Sequence, residues 1–161
     1  MDPVTIRRAI PADEPALGRY GAALMRQHHA LNPNRFILSE RPEQGYGRFL
    51  ISQLDDAESI VLVADRNGEV LGYVYAALEP LNWMELRAAC GFVHDVYVDE
   101  QARRAGIGEQ LVRAAIERLE SMGSPRVLLW TATGNEAAQH LFERLGFHPT
   151  MIEMTRERGG T

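Results

Sequence analysis

Cysteine is nearly absent: the single thiol, Cys90, excludes an internal disulfide framework and suits a reducing compartment. The opening residues Met1-Asp2-Pro3-Val4-Thr5 lack the apolar stretch of a signal peptide, and no run approaches the roughly 18 apolar residues of a membrane span. The expected location is the cytoplasm, with no membrane partner. Charge of one sign is also scarce. The formal net charge is -5, and the basic residues sit among acidic neighbours, as in Glu117-Arg118 and Glu153 to Arg158. No face advertises phosphate-backbone binding, so nucleic acid is not an expected partner. Internal repeats, low-complexity tracts and linkers are missing. Metal-ligand spacing is missing too, since His28 and His29 are adjacent and cannot both face one ion from a regular helix.

What is present has the balance of a folded domain. Apolar residues at 45% and charged ones at 24% exclude disorder, collagen-like repeats and coiled coil. A chain of 161 residues fits one domain, read here as 1–161, and can bury a real core.

Val4 to Ile10 reads as a first strand, ended by Pro11-Ala12-Asp13. Asp13 to Leu31 then carries Leu17, Tyr20, Leu24 and His28 near helical spacing. Pro42 opens a second helix with the stripe Tyr46, Phe49, Leu50 and Leu54. Ser59 to Asp65 and Glu69 to Leu78 flank Asn67-Gly68, a turn in which both residues need positive φ, so an antiparallel hairpin follows. Gly91 to Val98 is another strand, Gly106 to Met122 a helix, and Val127 to Trp130 a strand whose continuous apolar run suits burial on both faces. Asn135 to Leu145 is a short helix closed by Gly146, and Thr150 to Met154 a last strand. A hairpin first and strand-helix alternation later predict an α/β fold with a mixed sheet.

The segment richest in chemistry runs from Val96 through Arg103-Arg104-Ala105-Gly106-Ile107-Gly108, a strand passing through a turn into a helix. Glycines there let the backbone approach a ligand, and the first helical turn presents unpaired N–H groups at the positive end of the helix dipole. A Walker A loop is excluded because Glu109-Gln110 follows Gly108 in place of Lys-Ser or Lys-Thr. The dinucleotide fingerprint G-x-G-x-x-G also fails, because Leu111 stands where its third glycine belongs.

What remains, R-x-x-G-x-G after a strand, resembles the acyl-CoA pyrophosphate loop of the GNAT N-acetyltransferases. Asn135-Glu136-Ala137-Ala138-Gln139-His140-Leu141-Phe142-Glu143-Arg144-Leu145-Gly146-Phe147 resembles that family's second motif, in the expected order and distance downstream. The resemblance covers nearly the whole chain. It implies a GNAT fold with a mixed central sheet of six to seven strands, flanked by helices and splayed between the fourth and fifth strands.

It further implies acetyl-CoA as cosubstrate and a primary amine as acceptor, with no metal. Backbone groups of Val96 and Val98 would pair with the pantetheine arm. Amides of Arg103, Arg104, Ala105, Gly106, Ile107 and Gly108 would hold the pyrophosphate, and Asn135, Ala138 and Phe142 would line the opposite wall. Homodimers are common in the resembled family, so self-association is an expectation here.

Attack on a thioester needs a neutral amine, hence a proton acceptor near the cleft. His94 is the candidate, since an ordinary histidine is mostly neutral at working pH and some enzymes of the family are similar in carrying His or Glu at this point; a structural histidine is the competing reading. Strand alternation sends His94 and Asp95 to opposite faces unless a bulge re-aims them. Phe142 stands where the family often has a tyrosine that protonates the departing thiolate. Phenylalanine cannot donate a proton, which leaves water or a residue such as Tyr97.

For the acceptor, His28 and the loop with Trp83 and Glu85 lie where the fold usually builds its pocket, with Glu85 able to pair with an ammonium; a solvated helix end and a surface loop are the competing readings. Direct transfer to a small-molecule amine is the first functional expectation. Transfer to a protein or peptide amine is the second, and an acyl-CoA-binding sensor without turnover the third.

Overall fold

The computed structural model describes residues 2–159. In chain order the elements are β1 (Thr5–Arg8), α1 (Glu14–Leu31), α2 (Pro42–Ser52), β2 (Ser59–Arg66), β3 (Glu69–Glu79), β4 (Cys90–Val98), α3 (Ile107–Ser121), β5 (Val127–Leu129) and α4 (Glu136–Arg144). The sheet order is β1-β2-β3-β4-β5, antiparallel throughout except for the parallel β4–β5 pair.

Local chemistry accounts for the boundaries. Asn67 and Gly68 both take positive φ, 53° and 85°, and Asp65 Oδ1 accepts the Gly68 N–H at 2.7 Å, so the β2–β3 turn closes in the geometry a tight hairpin needs. Proline begins α1 and α2 where no intrahelical donor is lost. Before α1, Arg7 forks onto Asp13 through Nη1 and Nη2 at 2.8 and 3.0 Å, while its Nε donates to Asp65 at 2.8 Å. Asp13 also accepts the Ile10 N–H. Burial would lift the Asp13 carboxyl, but Arg7 and that amide outweigh it and hold it below the usual carboxylate range.

Strand alternation sorts the sheet into two cores. Ile60, Ala64, Leu71, Val74 and Val93 meet Ile107, Leu111, Ala115 and Leu119 of α3 on one face. Val61, Val63, Val70 and Tyr73 meet Leu17, Tyr20 and Leu50 of α1 and α2 on the other. The two helices approach so closely that a Cβ at Gly18 would lie 2.4 Å from the Glu43 carbonyl oxygen, which only glycine permits.

Two expectations are corrected. Among the described residues the sheet has five strands, where six to seven were expected. Thr150 to Met154 forms no strand: Met151, Ile152 and Met154 are each more than four-fifths exposed, and Glu153 is instead bonded to Arg35, with Nη2 at 2.9 Å from Oε2. A strand needs a ladder partner, and β5, only three residues long, pairs with β4.

Candidate active site

The parallel partnership of β4 is short. Gly91, Phe92 and Val93 face Val127, Leu128 and Leu129, and then β5 ends while β4 continues from His94 to Val98. The sheet therefore splits at His94, leaving backbone groups of β4 on that edge without a strand partner.

A β-bulge sits at the same place. In the β3–β4 ladder Tyr75 pairs with Asp95 and Ala76 with Val93, leaving His94 without a partner. The extra residue switches side-chain parity. Val93, Val96 and Val98 all pack toward α3. His94 stacks on Tyr75 (5.1 Å), Asp95 accepts from the Tyr73 hydroxyl (3.1 Å) and Tyr97 stacks on Tyr20 (5.6 Å), so all three lie on the α1–α2 face. The opposite-face placement that alternation predicts for His94 and Asp95 is cancelled.

Two cavities adjoin this point. One, of about 400 Å³, has both walls of the split in its lining: Val93 to Val96 on one side, Leu129, Trp130, Thr131, Asn135, Ala138 and Phe142 on the other, with His28 and Arg35 at its α1 side. The other, of about 320 Å³, is formed by Met25, Tyr46, Phe49 and Tyr75 and shares His94 and Asp95 with the first.

His94 is held by its neighbours. Its ring lies between Phe92 and Tyr75, nearly parallel to both, and Nε2 is 2.7 Å from Glu79 Oε1. Burial pushes the Asp95 carboxyl above the usual carboxylate range, against the Tyr73 hydrogen bond and the nearby imidazoles of His94 and His28. Burial and the charge of Asp95 together push the Tyr46 phenol up to about 12.

At the far end of β4 the chain turns into α3. Asp99 accepts the Gln101 N–H at 2.9 Å, Arg104 takes a positive φ of 67° and Gly106 one of 73°. Gly106 has no side chain to cap α3, and the helical ladder starts with the Gln110 N–H donating to its carbonyl at 3.0 Å. Arg103 to Gly106 are exposed, and nothing lies within 4 Å of where a Gly106 Cβ would be. The turn thus offers uncapped N–H groups to solvent, an arrangement that fits a diphosphate. Arg103 shapes the turn itself, with Nε donating to the Val98 carbonyl at 3.0 Å and its guanidinium 5.3 Å from the Tyr97 ring centre.

The structure brings His94, Val96, Asn135, Ala138, Phe142 and His28 to one cavity. His28 Nδ1 lies 2.9 Å from the Leu24 carbonyl, and Asn135 caps α4 by accepting the Ala138 N–H at 3.2 Å. Tyr97 lines neither cavity, nor do Trp83 and Glu85: Trp83 is 78% exposed and Glu85 is paired with Arg87 at 2.7 Å. Sequence reasoning missed Tyr75, Glu79 and Met25, and noticed Tyr46 and Phe49 only as a helical stripe. No group of three or more His, Cys, Asp or Glu among the described residues is placed to hold a metal ion, and no described helix is long and apolar enough to cross a membrane.

A mixed sheet that opens between β4 and β5 beside an uncapped helix start defines an α/β protein with a cleft between two strands. Residues 23–147 match the model of the Acetyltransferase (GNAT) family, and the chain belongs to that family. A mycothiol acetyltransferase of Paenarthrobacter aurescens (strain TC1) is 31% identical over an alignment of 125 residues that covers 73% of this chain and 38% of that protein, so the match spans well under half of the relative. Among solved structures, a mutant of the BH1408 protein from Bacillus halodurans superposes with a TM-score of 0.81 at 22% identity, covering 96% of this chain and 99% of that one. An aminoglycoside N-acetyltransferase in complex with CoA superposes with a TM-score of 0.70 at 16% identity, covering 98% and 96%. At these identities the two structural likenesses speak to the fold.

Proposed function

We propose that this protein transfers the acetyl group of acetyl-CoA to a primary amine by direct attack, with both substrates held at once. The observation that carries this reading is the single cavity lined from both sides of the β4–β5 split, continuous in sequence with the uncapped start of α3. Family membership supports the same reading.

Acetyl-CoA, when bound, supplies the electrophile, a thioester carbonyl carbon. The residues present fit it. Amides from Arg104 to Gly108 hold the diphosphate, the Arg103 amide being turned to Glu100; the β4 edge at Val96 and Val98, where the Val98 carbonyl also accepts from Arg103 Nε, receives the pantetheine arm; and Asn135, Ala138 and Phe142 form the facing wall. His94 accepts one proton from the incoming ammonium, and the neutral nitrogen then bonds the acetyl carbon as the carbon–sulfur bond breaks. The second proton passes to the departing sulfur. A thiol's ordinary pKa of about 8.5 makes thiolate a tolerable leaving group, so Phe142 is no obstacle and no side-chain acid is required. Cavities of about 320 and 400 Å³ suit a small-molecule acceptor better than a folded protein surface.

Thiol release from acetyl-CoA in an amine panel, with product mass read in parallel, tests the proposal. All 17 residues of the lysine-plus-arginine count are arginine, so no lysine of the protein competes as acceptor. Amine-dependent thiol release with an acetylated product is expected. Saturable acetyl-CoA binding with no acceptor-dependent release would favour a sensor instead.

A further inference from the structure

The smaller cavity has a chemistry that narrows the acceptor beyond "primary amine". Its floor is Asp95, whose Oδ2 accepts the Tyr73 hydroxyl while Oδ1 accepts no hydrogen bond from the described residues. Its walls are Met25 and the aromatic corner of Tyr46, Phe49 and Tyr75, with Phe49 set edge-on to Tyr75 at 5.5 Å. No arginine lines it.

A half-buried carboxylate with a free oxygen, ringed by phenols and with imidazoles but no arginine beside it in this cavity, draws a cation from outside. The aromatic faces add cation–π attraction and an apolar slot for the stem. A second negative charge on the ligand would meet Asp95 in a cavity lined by no arginine, while Arg35, in the adjoining cavity, is already paired with Glu153, so like charges would face each other.

We infer that the acceptor is a small primary ammonium with an aromatic or apolar arm and no carboxylate, its nitrogen anchored by Asp95 beside His94 and its arm against Tyr46, Phe49 and Tyr75. This rests on the proposed acetyl transfer and adds a substrate class to it. Asp95 positions the ammonium; the proton leaves to His94, the nitrogen bonds the acetyl carbon, and the thiol departs as described above.

Matched acceptor pairs that differ only in a carboxylate test this directly: phenethylamine against phenylalanine, and tryptamine against tryptophan. Steady-state kcat/KM should favour each decarboxylated partner by at least about a hundredfold. Asp95→Asn should raise the amine KM by roughly tenfold or more while leaving the acetyl-CoA Kd, read by calorimetry, within about twofold. The pairs are compared in the unmodified protein, so the test survives if Asp95→Asn fails to fold. Equal or better use of the amino acids overturns the inference, as does an unchanged amine KM in a folded Asp95→Asn. So does acetyl-CoA binding with turnover only on carboxylate-bearing or polycationic amines. Absence of acetyl-CoA binding would instead remove the proposed function beneath it.

Discussion

Glu79 Oε1 lies 2.7 Å from His94 Nε2, joining the end of β3 to the residue at which β4 loses its partner. With Glu79 ionised, Nε2–H donates to it and Nδ1 is left as the basic nitrogen. The flanking rings of Phe92 and Tyr75 restrict rotation of the imidazole, so the orientation is set by both hydrogen bonding and packing.

If His94 is the proton acceptor, His94→Ala lowers kcat/KM at neutral pH by about 10²–10⁴-fold, the range for a positioned general base. Part of that loss returns at high pH, where more of the amine is already neutral. Thiol-release rates across a pH series check this, and an unchanged profile removes His94 from the mechanism.

Glu79 acts through His94 and touches no substrate in this account. Glu79→Gln should fold normally, because its side chain is about 30% exposed, and should lower kcat by roughly tenfold with little change in amine KM. The informative readout is the kcat pH profile, whose acid limb, the side on which a general base is lost to protonation, shifts when the carboxylate is neutralised. A purely structural Glu79 would alter the melting temperature and leave that profile in place.

Two glycines of α1 set how closely α2 packs against it. At Gly18 an added Cβ meets the Glu43 carbonyl oxygen at 2.4 Å, backbone that cannot swing aside. Gly18→Ala should cost about 1–3 kcal/mol from overpacking, exceeding the helix-propensity gain of about 1 kcal/mol. At Gly21 the added Cβ falls 2.3 Å from the Tyr46 ring, which lines both cavities. Gly21→Ala should therefore raise the acceptor KM while acetyl-CoA affinity holds, a split that steady-state kinetics with calorimetry resolves.

Stability at acid pH should depend on Asp13. Its folded pKa is lowered, so its contribution is present above the ordinary carboxylate value of about 4 and is lost as pH falls through the folded value. Asp13→Asn should cost about 2 kcal/mol at neutral pH, discounted from the larger figure for breaking a fully buried pair because Arg7 is 31% exposed. The same variant should flatten the acid limb of a urea-denaturation pH series.

Much of this architecture was legible in the sequence, for identifiable reasons. Asn67-Gly68 specifies its turn by the φ values it tolerates, and the apolar spacing of Ile107, Leu111, Ala115 and Leu119 specifies the buried face of α3. The R-x-x-G-x-G turn was visible because glycine and a helix start are local properties. The shared face of His94 and Asp95 was not, because the bulge depends on how β3 registers against β4, a long-range relationship that period-two alternation does not carry. Thr150 to Met154 looked like a strand by composition, yet pairing partners decide strands, and Glu153 bonds Arg35 instead. Tyr46 and Phe49 were read as one apolar stripe of α2, though they also form the wall of a cavity that opens toward Asp95.

Titration calorimetry with acetyl-CoA tests the central claim most directly, because everything downstream requires the turn between Val98 and α3 to grip a diphosphate. Saturable, one-to-one binding that CoA competes away and that weakens as ionic strength rises is the expected result. No heat of binding at millimolar acetyl-CoA would contradict it.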